Sequence, residues 1–229
     1  MQRPWILKME WRDLLFVHWP LPPPVLAAAL PAGVTLDLWE GQAWLALVAF
    51  NVTNFRVRGV PFGMSFPQVN LRTYVRLGET RGIWTFSLDA APLLAVLGSR
   101  LGYALPYVQA RAALQVQGDW LEFRSVRRHQ PDLDCHVGYR PTGPVFRAPA
   151  GSTEHWLTER RSLFTVGWDR RLWRADVQHE AWPLQAAEIR HFHSRLPAQV
   201  GAPSLGPPLA HFSRVVHVRG WPPAHHQDL

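Results

Sequence analysis

Gln68-Val69-Asn70-Leu71-Arg72-Thr73-Tyr74-Val75-Arg76-Leu77 decides the fold. Val69, Leu71, Thr73, Val75 and Leu77 fall on one face of an extended chain and Gln68, Asn70, Arg72, Tyr74 and Arg76 on the other, the period of two of a β-strand. Beyond Gly78–Gly82 the pattern resumes, with Trp84, Phe86 and Leu88 opposing Thr85, Ser87 and Asp89. Two such runs around a glycine-bearing turn predict an antiparallel hairpin over Gln68–Leu77 and Ile83–Asp89. Further out, Leu14–Trp19, the apolar Ala43–Phe50, Tyr107–Val116, Trp120–Arg127, Leu172–His179 and His211–Val218 also read as strands. Helices are few. Val25–Leu30 follows a Pro-rich turn, and Pro92–Leu101 has proline in its first turn with Leu93, Leu94, Leu97 and Leu101 forming one apolar face. Glu154–Arg160 can be capped by Ser152 or Thr153. The expected class is mainly β (α+β), closed as a barrel, cone or sandwich, with a few short helices.

The chain has 229 residues, 47% of them hydrophobic, which suits one domain over 1–222 followed by a flexible tail at 223–229. Cys135 is the only cysteine, so no intrachain disulfide can form, and a reducing cytoplasm is the expected location. Leu14–Leu36 carries no charged residue and is long enough to cross a bilayer, but Pro20, Pro22, Pro23, Pro24 and Pro31 would break a spanning helix. Glu10, Arg12 and Asp13 precede that run and argue against a secretory leader. No membrane partner is expected. The net charge is +7, yet Lys8 is the only lysine among 24 basic residues and the arginines are scattered between acids. Without a clustered basic face or a recognisable motif, no nucleic-acid partner is expected either.

Asn70-Leu71-Arg72-Thr73-Tyr74-Val75, Phe86-Ser87-Leu88-Asp89-Ala90 and Leu105-Pro106-Tyr107 resemble the YqjF-like family, catalogued as domain of unknown function 2071. Leu15–Pro20, Leu157-Thr158-Glu159-Arg160, His179 and Trp182-Pro183 extend the resemblance over most of the chain. That family is in turn similar to acetoacetate decarboxylase, which implies an antiparallel β-cone or barrel with the active site inside and a bacterial type of protein. In the decarboxylase-like pattern an arginine precedes a glycine, a proline and the lysine that forms a Schiff base. Here the resemblance puts the arginine at Arg100, the proline at Pro106 and Tyr107 where the lysine would stand. Gln68 likewise stands where both families tend to carry glutamate. A phenol cannot form an imine, so Schiff-base decarboxylation is not expected.

A ligand site is expected at Gln68, Asn70, Arg72, Tyr74, Ser87, Asp89, Arg100 and Tyr107, where guanidinium groups clamp an anionic or carbonyl-bearing small molecule and phenols orient it. No catalytic residue or cofactor is assigned, and homo-oligomerisation stays open. The same alternation also fits a sheet whose polar face meets water, with Arg100–Asp89 a structural ion pair. A filled, non-enzymatic interaction domain is the corresponding alternative. Two imidazoles in His191-Phe192-His193 and the Cys135-His136 pair raise the question of a metal, but no spacing supplies further ligands, so surface histidines and no metal are expected. Ser87, His179 and Asp89 lack the elbow motif of a hydrolase. Of the twelve tryptophans, Trp44, Trp84 and Trp173 are expected in the core, and Trp221 is expected at one end of the barrel.

Overall fold

The computed structural model describes residues 4–202 and 204–226. In chain order its elements are β1 (Leu7–Leu21), α1 (Pro23–Ala27), β2 (Thr35–Leu36), β3 (Ala43–Val57), β4 (Met64–Leu77), β5 (Thr80–Ala90), α2 (Leu93–Tyr103), β6 (Tyr107–Gln117), β7 (Trp120–Arg127) and β8 (Asp134–Phe146). Then follow α3 (Thr153–Thr158), β9 (Ser162–Val166), β10 (Leu172–Gln178), β11 (Leu184–Ser194), a 3₁₀ turn at Leu196–Val200, β12 (Leu209–Gly220) and β13 (Ala224–His225). The hairpin read from the sequence is present as β4 and β5, paired antiparallel with Leu77 opposite Thr80. Its turn is tighter than the Gly78–Gly82 span suggested. Only Gly78-Glu79 lies between the strands, and Gly78 takes φ +58°, a left-handed conformation that suits glycine.

Thirteen strands form one sheet whose order folds back on itself. The pairings β1–β3–β4–β5–β9–β10–β12–β1 trace a closed circuit of seven strands. A second circuit runs from β5 through β6, β7, β8 and β11 to β12, and returns through β1, β3 and β4. Strands β12, β1, β3, β4 and β5 therefore belong to both. Pairing is antiparallel, as expected, except at β5–β6 and β5–β9, which are parallel. Helix α2 supplies the crossover that the first of these needs.

The two faces of the shared strands serve different interiors. Leu15, Val17, Leu45, Leu47, Val69 and Leu71 pack with Phe123, Val137 and Tyr139 of the second circuit into a filled core. Phe16, Val48, Phe50 and Phe66 face the first circuit with Trp182. Three bulges interrupt strict alternation in these shared strands. One lies at Asp13 in β1, one near Asn54 in β3 and one at Phe86 in β5, where Leu71 pairs with Ser87 but Arg72 already pairs with Thr85. An extra residue in one strand turns every following side chain to the other face.

Two expectations fail here for identifiable reasons. Leu93, Leu94, Leu97 and Leu101 of α2 do not point into the core but are 43–74% exposed. The inward stripe is Ala95, Ser99 and Tyr103, four residues apart, because α2 lies against the first circuit with its small and polar side. In the tail, Ala224 and His225 pair with Arg174 and Trp173, and His225 meets Asp169 at 2.7 Å, so these two residues are not a loose end. Residues 227–229 of that tail lie outside the described residues. Among the described residues no helix is long and apolar enough to cross a membrane.

Candidate functional site

Six strands of the first circuit contribute side chains to a cavity of about 110 Å³, and the seventh, β12, borders it with Gly220. Its walls are mostly aromatic and aliphatic. Trp11, Phe16, Phe50, Phe66 and Trp182 form the apolar side, with Trp182 stacked on Trp11 at 6.0 Å and edge-on to Phe16 at 4.9 Å. Alternation along β4 presents Gln68, Asn70 and Arg72 to the same space, and β5 adds Thr85. Ser99 and Tyr103 enter from α2, Tyr107 from the start of β6, and Thr158 and Arg160 from the end of α3.

Four of the eight expected site residues, Gln68, Asn70, Arg72 and Tyr107, thus line one cavity. Tyr107 donates its hydroxyl proton to Gln68 Oε1 at 3.0 Å. Burial pushes the Tyr107 phenol up to about 12, beyond what its bonds with Ser99 and Gln68 offset, so the group is a neutral donor. Tyr74 does not line the cavity. It is fully buried beside it, 4.8 Å from the Trp156 ring.

Ser87, Asp89 and Arg100 do not join the set. The Phe86 bulge turns Ser87 and Asp89 away from Thr85's face, and Asp89 makes a two-pronged ion pair with Arg127 in the other interior, at 2.7 and 3.0 Å. Arg100 stays exposed on α2 and donates Nε to the Tyr107 carbonyl at 2.6 Å, tying the helix end to β6. It neither pairs with Asp89 nor lines the cavity. The second guanidinium of the cavity is Arg160, which the sequence offers as the end of a short helix and of the family-like Leu157–Arg160 run but not as a site residue. Its Nε donates to the Trp156 carbonyl, its Nη1 to Asp37 Oδ2 at 2.7 Å, and its plane lies 4.4 Å from the Trp156 ring. The four-residue repeat Ala95, Ser99, Tyr103 is the available signal for the helical wall; for Arg160 it is the family-like run Leu157-Thr158-Glu159-Arg160.

Arg72 differs from Arg160 in having no acid. It is 8% exposed, its Nε has no hydrogen-bond partner, and among the described residues no carboxylate lies within ion-pair distance. Its charge rests against the Phe16 ring at 5.8 Å. Asn70 Oδ1 is also buried without a partner. A buried unpaired guanidinium is costly, and the usual complement is a planar anion that accepts two N–H bonds.

Beside Arg72 sits His18, 0% exposed, with both ring nitrogens unpartnered. Burial, followed by the charges of Arg72 and His211, holds its pKa well below the ordinary value of 6.5, and burial also lowers His179 and His211. These rings stay neutral in the fold but take up protons once unfolded, so stability is complete above about pH 6.5 and falls as the pH drops below it. Each such proton steepens the loss by about 1.4 kcal/mol per pH unit. Urea unfolding at pH 7.5, 6.5 and 5.5 should show this decline, and His18→Phe should flatten it; equal slopes in the two proteins would disprove the contribution of His18.

The lone lysine, Lys8, is exposed on β1, while its neighbours Leu7 and Met9 face the cavity. No lysine amine therefore reaches the site. In the same way, Asp89 bound to Arg127 is remote in role from His179, whose Nδ1 lies 2.7 Å from the Glu180 carbonyl and whose ring packs on Trp182 at 4.8 Å.

Comparison with known proteins agrees with this architecture. The acetoacetate decarboxylase of Legionella pneumophila has a TM-score of 0.62 at 15% identity, covering 97% of this chain and 88% of that one. An acetoacetate decarboxylase-like enzyme from Sphingomonas wittichii RW1 gives 0.65 at 14%, covering 97% and 94%. The enduracididine biosynthesis enzyme MppR gives 0.69 at 10%, covering 99% and 89%. At such identities the likeness defines the fold, which is acetoacetate decarboxylase-like. The uncharacterized protein YqjF of Bacillus subtilis strain 168 is 37% identical over 222 residues, 95% of this chain and 91% of its own. The profile of DUF2071, described as an uncharacterized conserved protein, matches residues 8–217, and the chain belongs to that family.

Proposed function

We propose that this chain binds a small organic anion, of the size of a short keto acid, inside the seven-strand barrel, and that it acts on this ligand without imine chemistry. The observation that carries the reading is Arg72, a buried guanidinium that lacks a hydrogen bond at Nε and has no carboxylate partner among the described residues. A carboxylate beside it would complete the missing bonds. The amide N–H groups of Asn70, which also lines the cavity, can donate to the ligand's other oxygens, while Phe16, Phe50 and Trp182 take its apolar part. The open volume favours this over a filled interaction domain, since a cavity of this size has room for several waters. MppR has been solved in complex with pyruvate, a ligand of the proposed class. The single buried cysteine, its thiol pushed up to about 12 by burial, accords with a cytoplasmic location, which we also propose.

Titration of the purified protein with pyruvate and with acetoacetate, followed by tryptophan fluorescence, tests the proposal, because Trp11 and Trp182 border the cavity. Saturable one-site quenching is expected; no saturation by either acid up to about 10 mM, weaker than the millimolar binding that is worth about 4 kcal/mol, would overturn it. Borohydride added to the complex is expected to leave the intact mass unchanged. A reduced adduct at Lys8, found by peptide mass spectrometry, would contradict the exclusion of imine chemistry.

A further inference from the structure

On the far side of the second circuit, three strands bring together residues that no sequence spacing connects. Glu122 on β7 lies opposite Gly138 on β8, and Gly138 lies opposite His191 on β11; His136 sits two residues from Gly138 on the same face. Gly138 has to lack a side chain, since a Cβ there would come within 2.5 Å of Glu122 Oε1 and 2.6 Å of His191 Cε1. A β-bulge between Ile189 and His191 turns two consecutive side chains, Arg190 and His191, onto Glu122.

The donor atoms form a nearly equilateral triangle. His136 Nε2 is 3.1 Å from His191 Nε2, and Glu122 Oε2 is 3.2 Å from each of them. Bonds of about 2.0–2.1 Å at tetrahedral angles hold zinc ligands about 3.3 Å apart, so the triangle has the dimensions of three corners of such a site. Protons account for it poorly. Arg124 Nε donates to His136 Nε2 at 3.1 Å, which requires a lone pair there, and that lone pair then faces the Glu122 carboxylate with no proton between them. The single proton that His191 Nε2 can carry leaves that edge unbridged. Glu122 is 4% exposed, whereas both imidazoles are about one-third exposed, so the fourth corner opens to solvent.

We propose that Glu122, His136 and His191 bind a divalent transition cation of the zinc class, with water in the open position. Arg190 keeps its bond to the other carboxylate oxygen, Glu122 Oε1, and holds the ligand in place from outside. Exposed Arg124 swings away as the cation enters. The site lies on the outer face of β7, β8 and β11, away from the core of Phe123, Val137 and Tyr139, and is independent of the organic-anion cavity.

The test uses the full chain, stripped with chelator and titrated with Zn²⁺ against a chromophoric competitor, and separately with Co²⁺ followed by visible absorption. One equivalent is expected, with the d–d bands of a four-coordinate cobalt site. His191→Asn and Glu122→Gln should weaken Zn²⁺ by more than about 100-fold, beyond what loss of a supporting partner costs. Arg124→Ala should tighten binding, and His193→Asn should leave it unchanged, since His193 faces Asp134 instead. Zn²⁺ should raise the melting temperature of the parent protein and not that of His191→Asn. Should Glu122→Gln fail to fold, the half-exposed His191→Asn decides alone. Binding weaker than about 100 µM, or equal binding by the parent and His191→Asn, would overturn the site.

Discussion

Asp89→Ala is expected to lower folding stability by about 3–5 kcal/mol, the cost of leaving a buried charge without its partner. Asp89 and Arg127 are 1% and 3% exposed, and the guanidinium binds the carboxylate through both Nε and Nη2. The third nitrogen of Arg127 reaches Gln199 at 2.9 Å and Gln130 at 3.3 Å, so loss of the acid strands a cation that water cannot reach. For a chain of this length each kcal/mol moves the melting temperature by about 2–4 °C, and the drop should be about 6–20 °C. The double variant Asp89→Ala/Arg127→Met, which removes both charges, should recover most of the loss. A change below about 1 kcal/mol in urea unfolding of the single variant would mean that the pair is solvated after all.

Arg72→Met is expected to do the reverse. Ligand affinity should fall by about ten- to a hundredfold, the worth of a charge-assisted bond of about 1.5–3 kcal/mol. Stability without ligand should hold or rise, because the substitution removes a buried charge that no acid compensates and keeps an apolar chain against Phe16. Arg160→Met separates the two effects differently. It breaks the 2.7 Å contact with Asp37 as well as emptying one wall of the cavity, so both stability and affinity should suffer. Calorimetric titration with pyruvate and thermal melts of the three proteins make the comparison; an Arg72→Met protein that binds as the parent does, or melts far lower, would assign Arg72 a structural role.

Much of this geometry was legible in strand periodicity and in family resemblance. Gln68, Asn70 and Arg72 share a face because no bulge interrupts that part of β4, and the tight hairpin follows from its glycine. The reading failed at Ser87 and Asp89 because the bulge at Phe86 leaves no mark in composition: the residues on either side alternate as if the strand were continuous. Arg100 was carried over from a pattern whose lysine is missing, and the helix that bears it turns its leucines outward to give Ser99 and Tyr103 to the cavity. Arg160 and the Glu122–His136–His191 triangle depend on strands distant in sequence, and no local spacing encodes such meetings.

The strands shared by the two circuits have a consequence for descent. Each carries the packing that specifies the fold on one side and the lining of the cavity on the other, so changes in the reactive lining need not disturb the residues that make the chain fold. Strand β4 is a case in point. Gln68, Asn70 and Arg72 line the cavity while Val69 and Leu71 between them pack into the filled core. A lineage built on this wall can abandon one chemistry and acquire another by exchanging side chains on a single face, and divergence of activity at low sequence identity is the outcome such a partition permits.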